Sequence, residues 1–552
     1  MHSYIRPRQF VAIQLPSDQI RITKIVPNTI VQLGKYGSFA ANQVLGRPFH
    51  LTFELLDAPE PDGYRLRVVS ATELHAETLI EEAEGEEGEA DDALPTRTNQ
   101  NIVDDGSAQK LTVQEIEELK KEAGGAGKEI IARILESHSG IDQKTAFSLA
   151  KYTLRKRKKF IRRFSIVPLD VSTLAHYLMT ERDAAKTMEL RDEHIGLLGC
   201  LANVHHGGNL PVNESNKPNG RYFVVDETGG LVVAAMAERM GILYPPDEED
   251  EDQDEDQDEL PIEEPSGTDQ DGQAKAKPQP RRASPRAMSA TGNSITVVHA
   301  YSQPNLTLLK YFGYDVSNPD ESHPLFTHLK TVSWLQLVDP LSDPIYANKP
   351  ESRSAEEVAS LKTNKRTIYY HKIARWERVK SVTDEARAGG FDGLVVATLL
   401  EPPGVLKTLV PLLAGSASVS VYSPYIEPLV DLVDLYSTAR RTSFIYQKRD
   451  IEAETPEGEE PDLSVLFEEF KVDPTLLLPP SLQTTRVRAW QVLPGRTHPL
   501  MSARGGAEGY LFHASRVIPT KENIRAAGTF RKKRKLESTS TPNNERDVVM
   551  RT

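Results

Sequence analysis

The chemistry of this sequence is concentrated in one basic segment, Lys151-Tyr152-Thr153-Leu154-Arg155-Lys156-Arg157-Lys158-Lys159-Phe160-Ile161-Arg162-Arg163. It holds eight cations in 13 residues, with Tyr152 and Phe160 interleaved. Such density suits a phosphate backbone, because each neutralised phosphate releases condensed counterions. On a helix the cations would wrap most of the circumference, which a solvated face does not require. The segment has no residues that would read base edges, so it positions a nucleic acid rather than specifying its sequence. A charged helix surface or an interdomain linker is the plainer alternative.

Other reactive residue types do not form a constellation. Val224-Val225-Asp226-Glu227-Thr228-Gly229-Gly230-Leu231-Val232-Val233 has the strand–turn–helix character of a cofactor loop. It lacks the spaced glycines that let a backbone approach a nucleotide. The strand ending in His299-Ala300-Tyr301 has no acid at its tip to hold a ribose. Glu401 ends another strand and reads as an exposed carboxylate rather than a base. His205-His206 has no identifiable third ligand and reads as a polar loop. The one cysteine, Cys200, excludes an intrachain disulfide and any cysteine-based metal centre. It fits a reducing compartment.

The elements that must position these residues fall into blocks. Residues 1–76 contain strand-like runs (FVAIQL, IRITKIV, TIVQLG, FHLTFELL, YRLRVVSATEL) separated by turn residues. They predict a small β-barrel or sandwich. Residues 77–98 form an acidic linker. Residues 99–170 read as a helical, basic segment, in which Thr112 and Glu115 make a capping box. Ile130, Ile131, Ile134 and Leu135 form the face of a second helix, and a third begins near Asp142. Residues 171–245 and 293–530 alternate strands and helices, as a doubly wound α/β domain does. Residues 246–292, acidic and then rich in Pro, Ser and cations, read as a disordered insertion. Residues 531–552 are a tail in which Arg531-Lys532-Lys533-Arg534-Lys535 resembles a nuclear import signal.

The net charge of −14 hides a basic protein. Residues 81–92 hold eight acids and residues 247–259 hold eleven; removing these nineteen charges leaves +5. The acidic runs read as solvated disorder. No run approaches the roughly 18 apolar residues of a membrane span, and the N-terminus lacks an apolar signal region. A soluble intracellular protein is expected.

Several stretches together resemble one family. Asn99-Gln100-Asn101, Asp104-Asp105-Gly106, Gln109-Lys110-Leu111-Thr112 and Glu115-Ile116 are similar to its linker signature. Lys144-Thr145, Phe147-Ser148 and Lys151-Tyr152 continue it, Arg221–Leu231 is similar to its first strand and turn, and His498-Pro499-Leu500-Met501 with Gly509-Tyr510-Leu511 is similar to its last strands. The family is that of the non-catalytic subunits of the tRNA adenine-58 N1-methyltransferase. The resemblance implies an N-terminal β-barrel and a degenerate Rossmann-like methyltransferase domain. It also implies tRNA binding and a heterotetramer with two copies of a catalytic paralogue. S-adenosylmethionine would sit in that paralogue and no cofactor in this chain. The paralogue's Asp-Leu-Pro-x-Pro-Trp motif corresponds here to Leu399-Leu400-Glu401-Pro402-Pro403-Gly404, without the aspartate or the tryptophan. No catalytic or metal site is therefore expected. The expected RNA contacts are Gln109, Lys110, Lys151, Tyr152, Arg155, Lys156, Arg157, Lys158, Lys159, Arg162 and Arg163, followed by Lys186, Arg191, Arg440 and Arg441. Two rival readings stand beside this one: an active S-adenosylmethionine-dependent RNA methyltransferase, and a translation-initiation scaffold that binds RNA incidentally.

Overall fold

The computed structural model describes residues 3–60, 63–74, 110–112, 114–116, 118, 127–138, 146–206, 220–245, 293–351, 353–456, 461–485, 487, 490–493, 496–500 and 506–519. Gln109, both acidic runs and the basic tail lie outside the described residues.

The N-terminal runs fold where their alternation places them. β1 (Phe10–Gln14), β2 (Ile20–Lys24), β3 (Ile30–Gln32), β4 (Ser38–Ala40), β5 (Thr52–Glu60) and β6 (Gly63–Val69) account for all five expected runs. A further strand, β7 (Arg163–Pro168), enters the middle of the sheet, whose order is β2-β1-β7-β5-β6. Every neighbouring pair in that sheet is antiparallel. β7 belongs here because its side chains alternate. Phe164 and Ile166 point into the core, where Phe164 stacks between Phe39 and Phe53 at centroid distances of 5.0 and 5.5 Å. In the sequence this strand is hidden, since the basic run continues into it through Arg162 and Arg163.

The expected closed barrel is not what the pairing produces. Among the described residues the five-stranded sheet stays open, and β3 and β4 pair only with each other. At three residues each they are too short to carry the ladder from one edge strand round to the other.

Two linker helices and the capping box fall among the described residues, and the expected helix start near Asp142 lies outside them. Thr112 N–H donates to Glu115 Oε2 at 2.7 Å and Glu115 N–H donates to Thr112 Oγ1 at 3.2 Å, completing the capping box. α1 (Gly127–Glu136) and α2 (Ala146–Phe160) pack through Ile130, Ile131, Ile134 and Phe160, a separate small core.

The α/β region begins with α3 (Val171–Glu181) and α4 (Asp192–Leu201). Its elements then run β8 (Gly220–Asp226), α5 (Leu231–Met240), β9 (Asn293–His299), β10 (Leu329–Ser333), α6 (Thr363–Ala388), β11 (Phe391–Ala397), α7 (Pro402–Leu409), β12 (Leu413–Ser423), α8 (Glu427–Leu435), α9 (Thr438–Glu454) and β13 (Ser481–Gln483). A ribbon of β14 (Trp490–Leu493) and β15 (Arg496–Pro499) precedes the last strand, β16 (Tyr510–Ser515). The large sheet has the order β10-β9-β8-β11-β12-β16-β13. Its first five strands are parallel and β16 runs antiparallel between β12 and β13. The chain steps from β8 outward to β10, then returns to β11 on the other side. That reversal between β8 and β11 is the topological switch point of a doubly wound, Rossmann-like sheet. The parallel strands are near-continuous aliphatic runs because both faces are covered, each by its own core. The ribbon of β14 and β15 pairs only within itself and lies outside the main sheet.

Candidate functional site

α2 carries the basic run, and its aromatics anchor it. Phe160 is buried, and Tyr152 meets the His138 ring edge-on at a centroid distance of 5.2 Å. Lys156 Nζ lies 4.8 Å from the Tyr152 ring centroid and Lys159 Nζ lies 5.4 Å from that of Phe160. The rings thus hold the helix and lie against two of its cations, rather than offering open stacking platforms. Arg155 and Lys159 are exposed, while Lys151, Lys156 and Arg157 are half-buried. The Lys158 side chain lies outside the described residues. Arg162 lies over the Tyr64 ring at 5.6 Å, against the first sheet. Lys110 is exposed, and its N–H donates to Ser137 O at 3.2 Å, which sets it at the end of α1. The fold therefore gathers Lys110 and the cations from Lys151 to Arg162 around one helical pair.

The remaining expected contacts are placed differently. Arg163 is 9% exposed and donates to Glu54 at 2.9 Å and to Glu73 at 3.2 Å. It ties β7 to β5 and to the turn after β6. Arg440 pairs with Asp434 at 3.1 Å. Arg441 donates to the Pro474 and Leu477 carbonyls, holding α9 to the chain before β13. Arg191 is half-buried and its Nη2 donates to Ala507 O at 3.1 Å. Lys186 is exposed in the turn Ala184–Thr187. Arg191, Arg440 and Arg441 are thus engaged within the α/β region, and Arg163 within the first sheet.

The turn between β8 and α5 is closed from within. Asp226, at the strand end, is buried. Its Oδ1 accepts from the Thr228 N–H at 2.7 Å and the Thr228 hydroxyl at 2.6 Å, and its Oδ2 accepts from the Val233 N–H at 3.0 Å. Burial pushes this carboxyl's pKa up, and the donors from Thr228 and Val233 pull it back. The amides at the start of α5, which can serve an anion, are met by the protein's own carboxylate. Gly229 and Gly230 both have positive φ, at 77° and 95°. A Cβ at Gly230 would stand 3.0 Å from Leu306 Cα, and one at Gly229 would stand 3.5 Å from Leu308. Leu308 N–H also donates to Gly229 O at 3.0 Å. The backbone approach that these glycines permit is thus taken by the 306–308 segment. Leu231, Val232 and Val233 are buried in the core.

Glu227 closes the switch point itself. Its Oε2 accepts from the Thr398 hydroxyl at 2.7 Å and the Leu399 N–H at 2.8 Å, and its own N–H donates to Ala397 O at 2.9 Å. In an open α/β sheet, ligands bind in the crevice at this point; here a carboxylate stitches the two strand tips together. Sequence reasoning passed over Glu227, although its place one residue beyond a strand end was the available signal. At the tip of β9, His299 Nδ1 lies 2.8 Å from Tyr301 O, and burial lowers its pKa. Glu401 is exposed at the start of α7. His205 Nδ1 lies 2.7 Å from Asn203 O in an exposed loop. Among the described residues no group of three or more His, Cys, Asp or Glu is placed to hold a metal, and no helix is long and apolar enough to cross a membrane. The residues around this turn do not fit an adenosyl cofactor: its glycines are covered by leucines, and no acid stands at the second strand tip.

Comparisons with known proteins agree with the sequence resemblance. The Gcd10p family profile matches residues 4–362. The chain is 59% identical to the tRNA (adenine(58)-N(1))-methyltransferase non-catalytic subunit trm6 of Aspergillus fumigatus, covering 98% of each chain. It is 31% identical to the subunit of that name from Kluyveromyces lactis, over 94% of this chain and 88% of the relative. It is 25% identical to the Mus musculus subunit, over 83% and 80%. Among solved structures, the tRNA (m1A58) methyltransferase TrmI of Aquifex aeolicus aligns over 94% of this chain and 100% of its own, at 9% identity and a TM-score of 0.35. A SAM-dependent O-methyltransferase from Thermotoga maritima aligns over 94% and 97%, at 7% identity and a TM-score of 0.39. The family rests on the profile and the full-length relatives: this chain belongs to the Gcd10p family, alongside the trm6 non-catalytic subunits.

Proposed function

We infer that this chain is the non-catalytic, tRNA-binding subunit of a tRNA adenine-58 N1-methyltransferase. It works with a catalytic paralogue that holds S-adenosylmethionine. The observation that carries the division of labour is the closed turn. A Rossmann-like domain whose Gly229-Gly230 backbone is covered by Leu306 and Leu308, and whose strand tips are joined by Glu227, keeps the scaffold without the cofactor crevice. The basic helix α2 supplies the second half of the reading. Its cations engage phosphates and hold the RNA in register, without reading bases. Adenine 58 lies in the folded T-loop, so methylation requires opening the target base at a cost of a few kcal/mol. Contacts on this chain would favour the opened geometry while the partner performs the transfer. The assembly is a heterotetramer with two copies of each chain, and the basic tail at 531–535 directs it to the nucleus. The open N-terminal sheet, which Arg162 meets over Tyr64, completes this RNA-gripping surface.

Methyl transfer to unmodified tRNA tests the reading, with this chain alone, the catalytic paralogue alone and the two together. Activity confined to the mixture is the expected result. Transfer by this chain alone would overturn the reading and make the chain an enzyme with a cofactor pocket elsewhere.

A further inference from the structure

α6 is a second basic element. Between Thr363 and Lys380 it carries six cations against a single acid, Glu377. A helix in the shell of such a sheet ordinarily buries one apolar stripe. Here burial begins only at Thr383 and Ala386. The preceding 18 residues span about 27 Å of helix and bury no side chain fully.

The half-buried side of this stretch faces a loop that brings more positive charge. Trp376 Nε1 donates to Tyr346 O at 3.1 Å, and Lys349 Nζ lies over the Trp376 ring at 5.6 Å. Arg353 donates its backbone N–H to the Tyr369 hydroxyl at 2.9 Å, and its guanidinium lies over the Tyr369 ring at 5.7 Å. Lys380 is engaged by Asp384 at 3.0 Å. Lys365, Lys372 and Arg375 are exposed, and the helical period sets the three within about 80° of one another on one face of α6.

We propose that the outer part of α6, with Lys349 and Arg353, is a second RNA-binding surface, separate from α2. Lys365, Lys372 and Arg375, on one face of the helix, meet phosphates. The proposal rests on the tRNA-binding reading above and adds a site to it. A protein partner fits the surface less well, because protein interface cores are depleted of charge and of lysine in particular. A polyanion matches it, since exposed cations spread along one face of a helix neutralise successive phosphates.

The test uses the complex of this chain with its catalytic paralogue and fluorescently labelled unmodified tRNA, with Kd measured against salt concentration. The triple variant Lys365→Ala, Lys372→Ala, Arg375→Ala should weaken binding and flatten the log–log salt slope by between about 2 and 3 units. The charge-conserving triple Lys365→Arg, Lys372→Arg, Arg375→Lys should keep the wild-type slope. An alanine triple with wild-type Kd and slope overturns the proposal. So does an alanine triple that loses the paralogue in co-purification while keeping the slope, which would assign this face to a protein. If an Arg155→Ala, Lys159→Ala variant on α2 weakens binding while the α6 triple does not, only the α6 site fails. If the wild-type complex binds no tRNA, the α6 site and the tRNA-binding reading fail together.

Discussion

A cation's neighbours, more than its place in a basic run, decide what it does. Arg155 and Arg163 sit eight positions apart in the same segment, yet Arg155 is exposed on α2 and Arg163 is nearly buried between Glu54 and Glu73. Removing Arg163 leaves Glu54 and Glu73 with Arg67, on β6, as their remaining shared cation. Both are partly exposed, so the loss is smaller than for a fully buried pair. Arg163→Ala should therefore destabilise the protein by about 1–3 kcal/mol, seen as a lower urea midpoint, with the salt slope of tRNA binding unchanged. Arg155→Ala should do the reverse, leaving the midpoint in place and lowering the slope by about 1. If Arg163→Ala changes the slope and not the midpoint, the ion pair is not its principal role. Asp226 and Glu227 make the same point: two adjacent acids at a strand tip look like ligand contacts, and both are used up on the protein's own donors.

Among elements, β7 matters most for the N-terminal half. It reaches the first sheet only after the chain has passed through α1 and α2, so its pairing with β1 and β5 closes a long loop. Phe164 is its anchor, fully packed between Phe39 and Phe53. Phe164→Ala should cost about 3–5 kcal/mol. Hydrogen exchange locates the damage: amides of β1 and β5, which pair with β7, should lose protection, while those of β11 and β12 keep theirs. Uniform loss of protection in both sheets would mean that they unfold as one unit. β7 was illegible because a period-two pattern of six residues follows directly on a helix rich in cations. α6 was illegible for the opposite reason, since a 26-residue helix with little apolar periodicity resembles a polar loop.

For the whole molecule the question is which chain responds to the cofactor. A ligand stabilises the fold that binds it, by about 2.7 kcal/mol at a hundredfold excess over its Kd. S-adenosylmethionine should leave the thermal midpoint of this chain alone unchanged and raise that of the catalytic paralogue or of the complex. A shift in the isolated chain would show that the 306–308 segment moves aside to admit the cofactor.

The sequence by itself determined the strand runs, the capping box at Thr112–Glu115, the α/β alternation and the degenerate glycine turn. Each is a local pattern, set by side-chain periodicity or by a residue type that a turn requires. It also carried the family, through matched stretches spread along the chain. Only the tertiary structure decided that β7 completes the first sheet, that this sheet stays open, and which cations stay exposed. It also decided that Leu306 and Leu308 cover a turn some 75 residues before them. Those outcomes depend on contacts between segments far apart in the chain. A composition or a spacing records which groups are present, and packing alone decides which of them are already satisfied.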